Sequence, residues 1–212
     1  MLHECVAEII PIEPDAGNAA AGIASTIVMV CEAVSIPYRL FKYANRGTSA
    51  NDNSMRYLCV LTIAGSDSCG GAGVQADIKT MSALGVYAAS AITSVTVQNT
   101  LGVKAIQAIE PAIVAGQIKA VMDDVKPVAI KIGMVNDCAT IHAIADSLSS
   151  YSPSKLVVDP VMVSTSGSML MQRDALEVFC SELLPMATLL TPNIPEAEVL
   201  SKTEIHTVDD MD

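Results

Sequence analysis

The sequence predicts an α/β protein: a mostly parallel central sheet with helices on both faces. Three observations carry this. Short β-branched runs alternate with stretches of helical spacing, which is the rhythm of βαβ units. Hydrophobic residues make up 51% of the chain and aromatics only 3%, so Ala, Val, Ile and Met fill strands buried on both faces. The first good strand runs straight into a loop of small residues and then a helix, VLTIAGSDSCGGAGVQAD over 60–77.

The elements follow in order. Residues 58–64 form an apolar run with the length of a buried strand. Gly65, Ser66, Ser68, Gly70, Gly71 and Gly73 make the loop, where glycine lets backbone approach a small ligand. Residues 74–84 have helical spacing, with Val74, Ile78, Met81 and Leu84 on one side and Gly85 as the C′ residue. Strands are expected at 90–97, ending at Gln98-Asn99, and at 104–109. Pro111 opens a helix over 112–125. Residues 128–132 read as a strand ending at Gly133-Met134, and Asp137 caps a helix running to about Ser149. A strand at 156–158 ends at Asp159-Pro160. A helix over 174–184 is closed by Pro185, a strand at 187–190 ends at Thr191-Pro192-Asn193, and 195–200 begins another helix. Thr207 to Asp210 resembles a cap with acids at a helix start, so the natural protein is expected to continue.

Residues 1–54 read differently: an N-terminal extension of unreadable role, with the polar linker RGTSANDNS at its end. Met55 is the expected start of a domain covering 55–212. The segment opens on acids rather than the basic start of a signal peptide.

Composition excludes several classes. The net charge is −11, Trp is absent and there is no basic stripe, which argues against nucleic-acid binding. No apolar run reaches the roughly 18 residues of a membrane span. Six cysteines without C-x-x-C spacing read as reduced thiols of a cytoplasmic protein, and three scattered histidines make no metal pattern.

Ligands of open α/β sheets bind outside the carboxyl ends of the strands. Those ends carry Gly65-Ser66-Asp67, Gln98-Asn99, Gly133-Met134, Asp159-Pro160, and Asn193 with Glu196. Acids without a basic partner suit Mg²⁺, and an Asp with a Glu suits a Mg-nucleotide and phosphoryl transfer. Gln98 donates and accepts at once, so it can read the edge of a heterocycle. A P-loop is ruled out because no Lys follows the glycines. Gly71 to Ala76 fits G-x-G-x-x-A loosely, but no acid ends the next strand, which disfavours a dinucleotide site and a dehydrogenase. Each residue also has an ordinary reading. Asp159 could simply end a strand, Asn193 and Glu196 could cap a helix, and Gln98 could be a turn residue. Met134 could be core, Asp77 could face solvent, and Cys69 could be only a small loop residue.

GSDSCGGAGVQADIKT, SAITSVTVQNTLGV, KIGM, VVDPVM and LLTPNIPEAE, in this order and spacing, resemble hydroxymethylpyrimidine/phosphomethylpyrimidine kinase of thiamine biosynthesis, in the ribokinase-like fold. The resemblance covers about Arg56 to the end. It implies transfer of the γ-phosphate of ATP to 4-amino-5-hydroxymethyl-2-methylpyrimidine and then to its monophosphate. It implies that Gln98 bonds the aminopyrimidine, and that Gly65, Ala72, Asp77, Met134 and Val161 line the substrate pocket. Asp159, Asn193 and Glu196 would face the Mg-ATP phosphates, with Glu196 and Asp159 toward the metal. It also implies a homodimer. The family's second glycine motif, Gly-Thr-Gly-Cys, is expected beyond Asp212 with the catalytic base and anion hole, so the chain is expected to be an incomplete, inactive kinase with its C-terminal part missing. The alternatives are a pyridoxal kinase of the same fold and a non-catalytic pyrimidine-binding protein.

Overall fold

The computed structural model describes residues 58–163, 170–207 and 210. The expectations for residues 1–54, for the domain start at Met55 and for Val208 and Asp209 lie outside them. Six strands form one sheet in the order β3-β2-β1-β4-β5-β6. The strands are β1 (Cys59–Asp67), β2 (Tyr87–Asn99), β3 (Gly102–Ala108), β4 (Ala129–Ile132), β5 (Leu156–Val158) and β6 (Leu189–Leu190). β1 lies at the centre, buried along nearly its whole length and parallel to both β2 and β4. β5 and β6 continue in parallel, while β3 turns back antiparallel on β2. The short connection between β2 and β3 explains that exception: a hairpin needs no crossover, whereas a parallel pair does.

The helices are α1 (Gly73–Ala83), α2 (Pro111–Asp124), α3 (Cys138–Ser149), α4 (Ala175–Val178) and α5 (Ile194–Ser201). From β1 the chain steps through α1 to β2 on one side, then returns through α2 to β4 on the other. Right-handed crossovers taken in opposite directions put their helices on opposite faces. The core reflects this. Leu61 and Ile63 of β1 pack with Ile118 of α2, with Ile141, Ile144 and Leu148 of α3, and with Phe179. Val60, one residue out of phase, packs instead with Met81 of α1 and with Val86, Ala129 and Val157.

Local signals hold where they name a bond. Asp137 caps α3 by accepting from the Thr140 N–H at 2.8 Å. Pro111 is in the first turn of α2, and Gly85 has φ +75° just after α1. The helix expected to close at Pro185 does not. After α4 the chain widens into a π turn over Phe179–Leu183 and tightens into a 3₁₀ turn over Leu184–Met186. Pro185 falls in the first turn of that last segment, where a missing N–H is tolerated. Farther on, the Asp210 carboxylate accepts from the His206 and Thr207 N–H groups at 2.9 and 2.7 Å.

Candidate active site

The strand order reverses at β1, between β2 and β4, so the loops after β1 and β4 diverge from a crevice at the carboxyl edge. Asp67 builds the first loop. Its buried carboxylate accepts from the backbone N–H groups of Cys69 at 2.8 Å, Gly71 at 2.9 Å and Ala72 at 2.9 Å. Gln75 completes the clamp: Oε1 accepts from the Asp67 N–H at 2.8 Å, and Nε2 donates to Ser66 Oγ at 2.7 Å. Gly73 opens α1 at φ +55°, and a Cβ there would fall 2.1 Å from the Gly65 carbonyl oxygen. Only glycine fits that approach.

Gly65 and Met134 meet across the crevice. A Cβ on Gly65 would stand 2.5 Å from Met134 Cε and 2.9 Å from Ser94 Oγ. Thr93 Oγ1 donates to the Met134 carbonyl at 2.8 Å and ties the loop after β4 to β2. Gln98 is half-buried at the end of β2. Its backbone exchanges bonds with Ser68 Oγ at 2.8 and 3.0 Å, and its Oε1 lies 3.1 Å from Thr96 Oγ1, whose one proton it shares with the Ser66 carbonyl at 3.0 Å. That leaves Nε2 as a donor without a partner among the described residues. Ala72 and Val161 are both half-buried; the Val161 N–H donates to the Asp159 carbonyl at 2.8 Å across Pro160.

Asp77 departs from the solvent-facing reading. Its side chain is 0% exposed. It does not face solvent, because Val74, Asp77 and Met81 share the helix face turned to the sheet. Its carboxylate accepts from Thr62 Oγ1 and from Lys131 Nζ, the latter at 3.3 Å to each oxygen. Lys131, 4% exposed on β4, also reaches Asp159 Oδ2 at 3.6 Å. Burial alone would lower the lysine's pKa, but the charges of Asp77 and Asp159 and their hydrogen bonds outweigh it and hold it above the ordinary value. Burial pushes Asp159 up; Lys131 pulls it back and Asp77 pushes it further, leaving it above the usual carboxylate range.

Asn193 and Glu196 form a capping box at the start of α5. The Asn193 N–H donates to Glu196 Oε2 at 3.0 Å, and the Glu196 N–H donates to Asn193 Oδ1 at 2.9 Å. Their ordinary reading as a cap is therefore real, and it also fixes the carboxylate at the edge. Glu196 is 7% exposed. Burial drives its pKa up to about 7; the Asn193 N–H lowers it, Asp159 raises it, and the Met162 N–H and the Asn193 side chain lower it. Glu196 and Asp159 thus feel one another. No group of three or more His, Cys, Asp or Glu that could hold a metal occurs among the described residues. Asp159 has a basic partner in Lys131, contrary to the sequence expectation. Of the two carboxylates this leaves Glu196 as the one without a lysine or arginine partner among the described residues, able to add to the waters and substrate oxygens that Mg²⁺ takes.

Gln75, Lys131 and Ser94 were not singled out by the sequence; Asp67 was named at the end of the first strand, but not as the residue that gathers the loop's backbone N–H groups. A separate cleft lined by Ser149, Ser152, Pro153 and Met186 lies beside the loop that enters β5, away from these residues.

A family model described as phosphomethylpyrimidine kinase matches residues 67–212. The chain belongs to this family. This phosphomethylpyrimidine kinase family member is 53% identical over 141 residues to hydroxymethylpyrimidine/phosphomethylpyrimidine kinase of Rhizobium meliloti, covering 66% of this chain and 53% of the relative. It is 45% identical over 146 residues to the enzyme of that name from Escherichia coli, covering 69% and 55%. The chain therefore spans about half the length of these curated relatives. Among solved structures, phosphomethylpyrimidine kinase from Clostridium difficile superposes with a TM-score of 0.69 at 51% identity, over 73% of this chain and 67% of that one. The ADP complex of Bacillus subtilis pyridoxal kinase superposes with a TM-score of 0.65 at 34% identity, over 73% and 58%. The fold of this family member is ribokinase-like. Among the described residues, no helix is long and apolar enough to cross a membrane.

Proposed function

We propose that the protein carrying this chain transfers the γ-phosphate of ATP to 4-amino-5-hydroxymethyl-2-methylpyrimidine and then to its monophosphate. The observation that carries the reading is the higher identity to phosphomethylpyrimidine kinase, 51% against 34% for the pyridoxal kinase, along a site whose parts lie on one sheet edge.

Gln98 presents its free amide N–H₂ to the aminopyrimidine edge. Gly65, Ala72, Met134 and Val161 line the ring, with Gly65 letting the Met134 methyl sit where a Cβ would clash. Asp77 acts from behind this wall, through Lys131, rather than at the ring. Asp159, Asn193 and Glu196 face the triphosphate, and Glu196 and Asp159 hold Mg²⁺. When bound, Mg²⁺ neutralises charge on the phosphate oxygens. The substrate hydroxyl oxygen bonds to the γ-phosphorus as the β–γ bridging P–O bond breaks, and the hydroxyl proton passes to a base. The resemblance puts that base in the Gly-Thr-Gly-Cys motif.

A cytoplasmic homodimer completes the proposal. The four described cysteines are free thiols, which supports a reducing compartment. The exposed Val95, Val97 and Leu101 of the β2–β3 hairpin support association. Residues 1–54 are proposed as a separate extension, in keeping with a family match that begins at residue 67.

Incubation of the full-length protein carrying this chain with ATP, Mg²⁺ and equimolar pyrimidine and pyridoxal, read by mass spectrometry, tests the reading. A phosphorylated pyrimidine is expected. Preferential phosphorylation of pyridoxal would move the assignment to the vitamin kinase alternative. Pyrimidine binding without transfer would favour the non-catalytic one.

A further inference from the structure

Among the described residues, three buried side-chain atoms have no hydrogen-bond partner: Ser94 Oγ, Asn136 Oδ1 and Thr191 Oγ1. They lie far apart in sequence: Ser94 sits in mid-β2 at the level of Gly65, Asn136 follows β4 and Thr191 follows β6. Buried polar groups are almost always paired, so an orphaned buried hydroxyl is costly to the free protein.

Ser94 is the one set directly against the pyrimidine crevice. It is 0% exposed, and its hydroxyl stands 2.9 Å from the position a Gly65 Cβ would take. Its strand neighbours show that partners were within reach of β2 hydroxyls: Thr93 donates to the Met134 carbonyl and Thr96 to the Ser66 carbonyl at 3.0 Å. Ser94 has neither. What covers the same Gly65 position is the Met134 methyl, an apolar end on a side chain with three rotatable bonds, able to swing aside when a ligand enters.

We propose that Ser94 is a substrate-recognising residue whose hydroxyl, masked by the Met134 methyl in the free protein, bonds a polar atom of the small heteroaromatic alcohol that enters between Gly65 and Met134. This rests on the function proposed above. Gln98 then reads the ring from the rim and Ser94 from the floor.

The hydroxyl destabilises the free protein and strengthens the complex, so removing it has opposite effects on the two. The test measures thermal unfolding without ligand and calorimetric binding of 4-amino-5-hydroxymethyl-2-methylpyrimidine for the wild-type chain, Ser94→Ala and Ser94→Cys. Ser94→Ala should melt higher and bind about ten-fold more weakly, with Ser94→Cys in between because a thiol is a poor hydrogen-bonding group. Equal affinity in wild type and Ser94→Ala overturns the assignment of Ser94 alone. A Ser94→Ala chain that unfolds or melts lower also overturns it, since the hydroxyl then has a protein partner. No binding by the wild type overturns the substrate reading itself, and this inference with it.

Discussion

Replacing Lys131 by Met removes one charge from a buried set of three and keeps the shape. In the native protein Nζ lies 3.3 Å from both oxygens of Asp77 and 3.6 Å from one of Asp159, with side-chain exposures of 4%, 0% and 18%. Met leaves two carboxylates on the α1 face of the sheet with no counter-charge. Removing one partner of a buried pair costs about 3–5 kcal/mol. Thr62 still donates to Asp77, so the lower part of that range is expected, around 3 kcal/mol. Against a domain stability of about 5–15 kcal/mol this is a large loss. Urea unfolding at pH 7 should show a lower midpoint with an unchanged slope. Its pH dependence has a definite sign. Asp159 already sits above the usual carboxylate range because of burial, with Lys131 pulling it down. Without Lys131 its folded pKa climbs further above its unfolded value. The deficit is then full above the folded pKa and shrinks as pH falls toward the unfolded one. Asp77→Asn combined with Lys131→Met should cost less than the sum of the two single changes. A deficit below about 1 kcal/mol, one that grows in acid, or strict additivity would refute the claim that these charges hold one another.

Three further outcomes follow from the same structure. Gly73→Ala combines left-handed backbone with a Cβ 2.1 Å from the Gly65 carbonyl, so the loop must move; the unfolding free energy from urea curves should fall by about 3 kcal/mol or more, beyond the roughly 1–2 kcal/mol of left-handed strain alone. Asp67→Ala strips the acceptor from three backbone N–H groups, at about 3 kcal/mol or more, and hydrogen exchange at Cys69, Gly71 and Ala72 should quicken selectively. Glu196, with a folded pKa of about 7 against an ordinary 4.5, loses stability as pH rises through that interval. Glu196→Gln keeps an acceptor for the Asn193 N–H but cannot ionise. It should match wild type near pH 4 and exceed it at pH 8 by up to about 3 kcal/mol, read from denaturation curves across pH.

Much of the fold was legible because its signals are local: the apolar run of β1, Pro111 opening α2, Asp137 capping α3, Asn193 with Glu196 opening α5. Two features escaped for opposite reasons. Pro185 looked like a helix terminator, but packing of Phe179 and Leu183 into the core carries the chain through a π turn and a tight turn that accept it. Asp77 looked solvent-facing by residue type, although Val74 and Met81 already put it on the buried side of α1. The signal for its partner was also present: Lys131 is a lone charge inside AIKI, a fully buried strand, and a charge there requires an opposite one nearby. Asp67 was placed at the ligand edge, and its loop-building role could have been found from its place just ahead of the glycines, where an Asx side chain gathers backbone N–H groups. Ser94 could not, because a hydroxyl's lack of a partner is a property of the folded neighbourhood alone.

We propose that a pyrimidine lies against the loop after β1, the end of β2 and the loop after β4. Amide and methyl NMR of the chain titrated with 4-amino-5-hydroxymethyl-2-methylpyrimidine tests it most directly. The account predicts shifts concentrated at Gly65 to Gly73, Gln98 and Met134. Shifts gathered instead around Ser149, Ser152 and Met186, or none at saturating ligand, would contradict it.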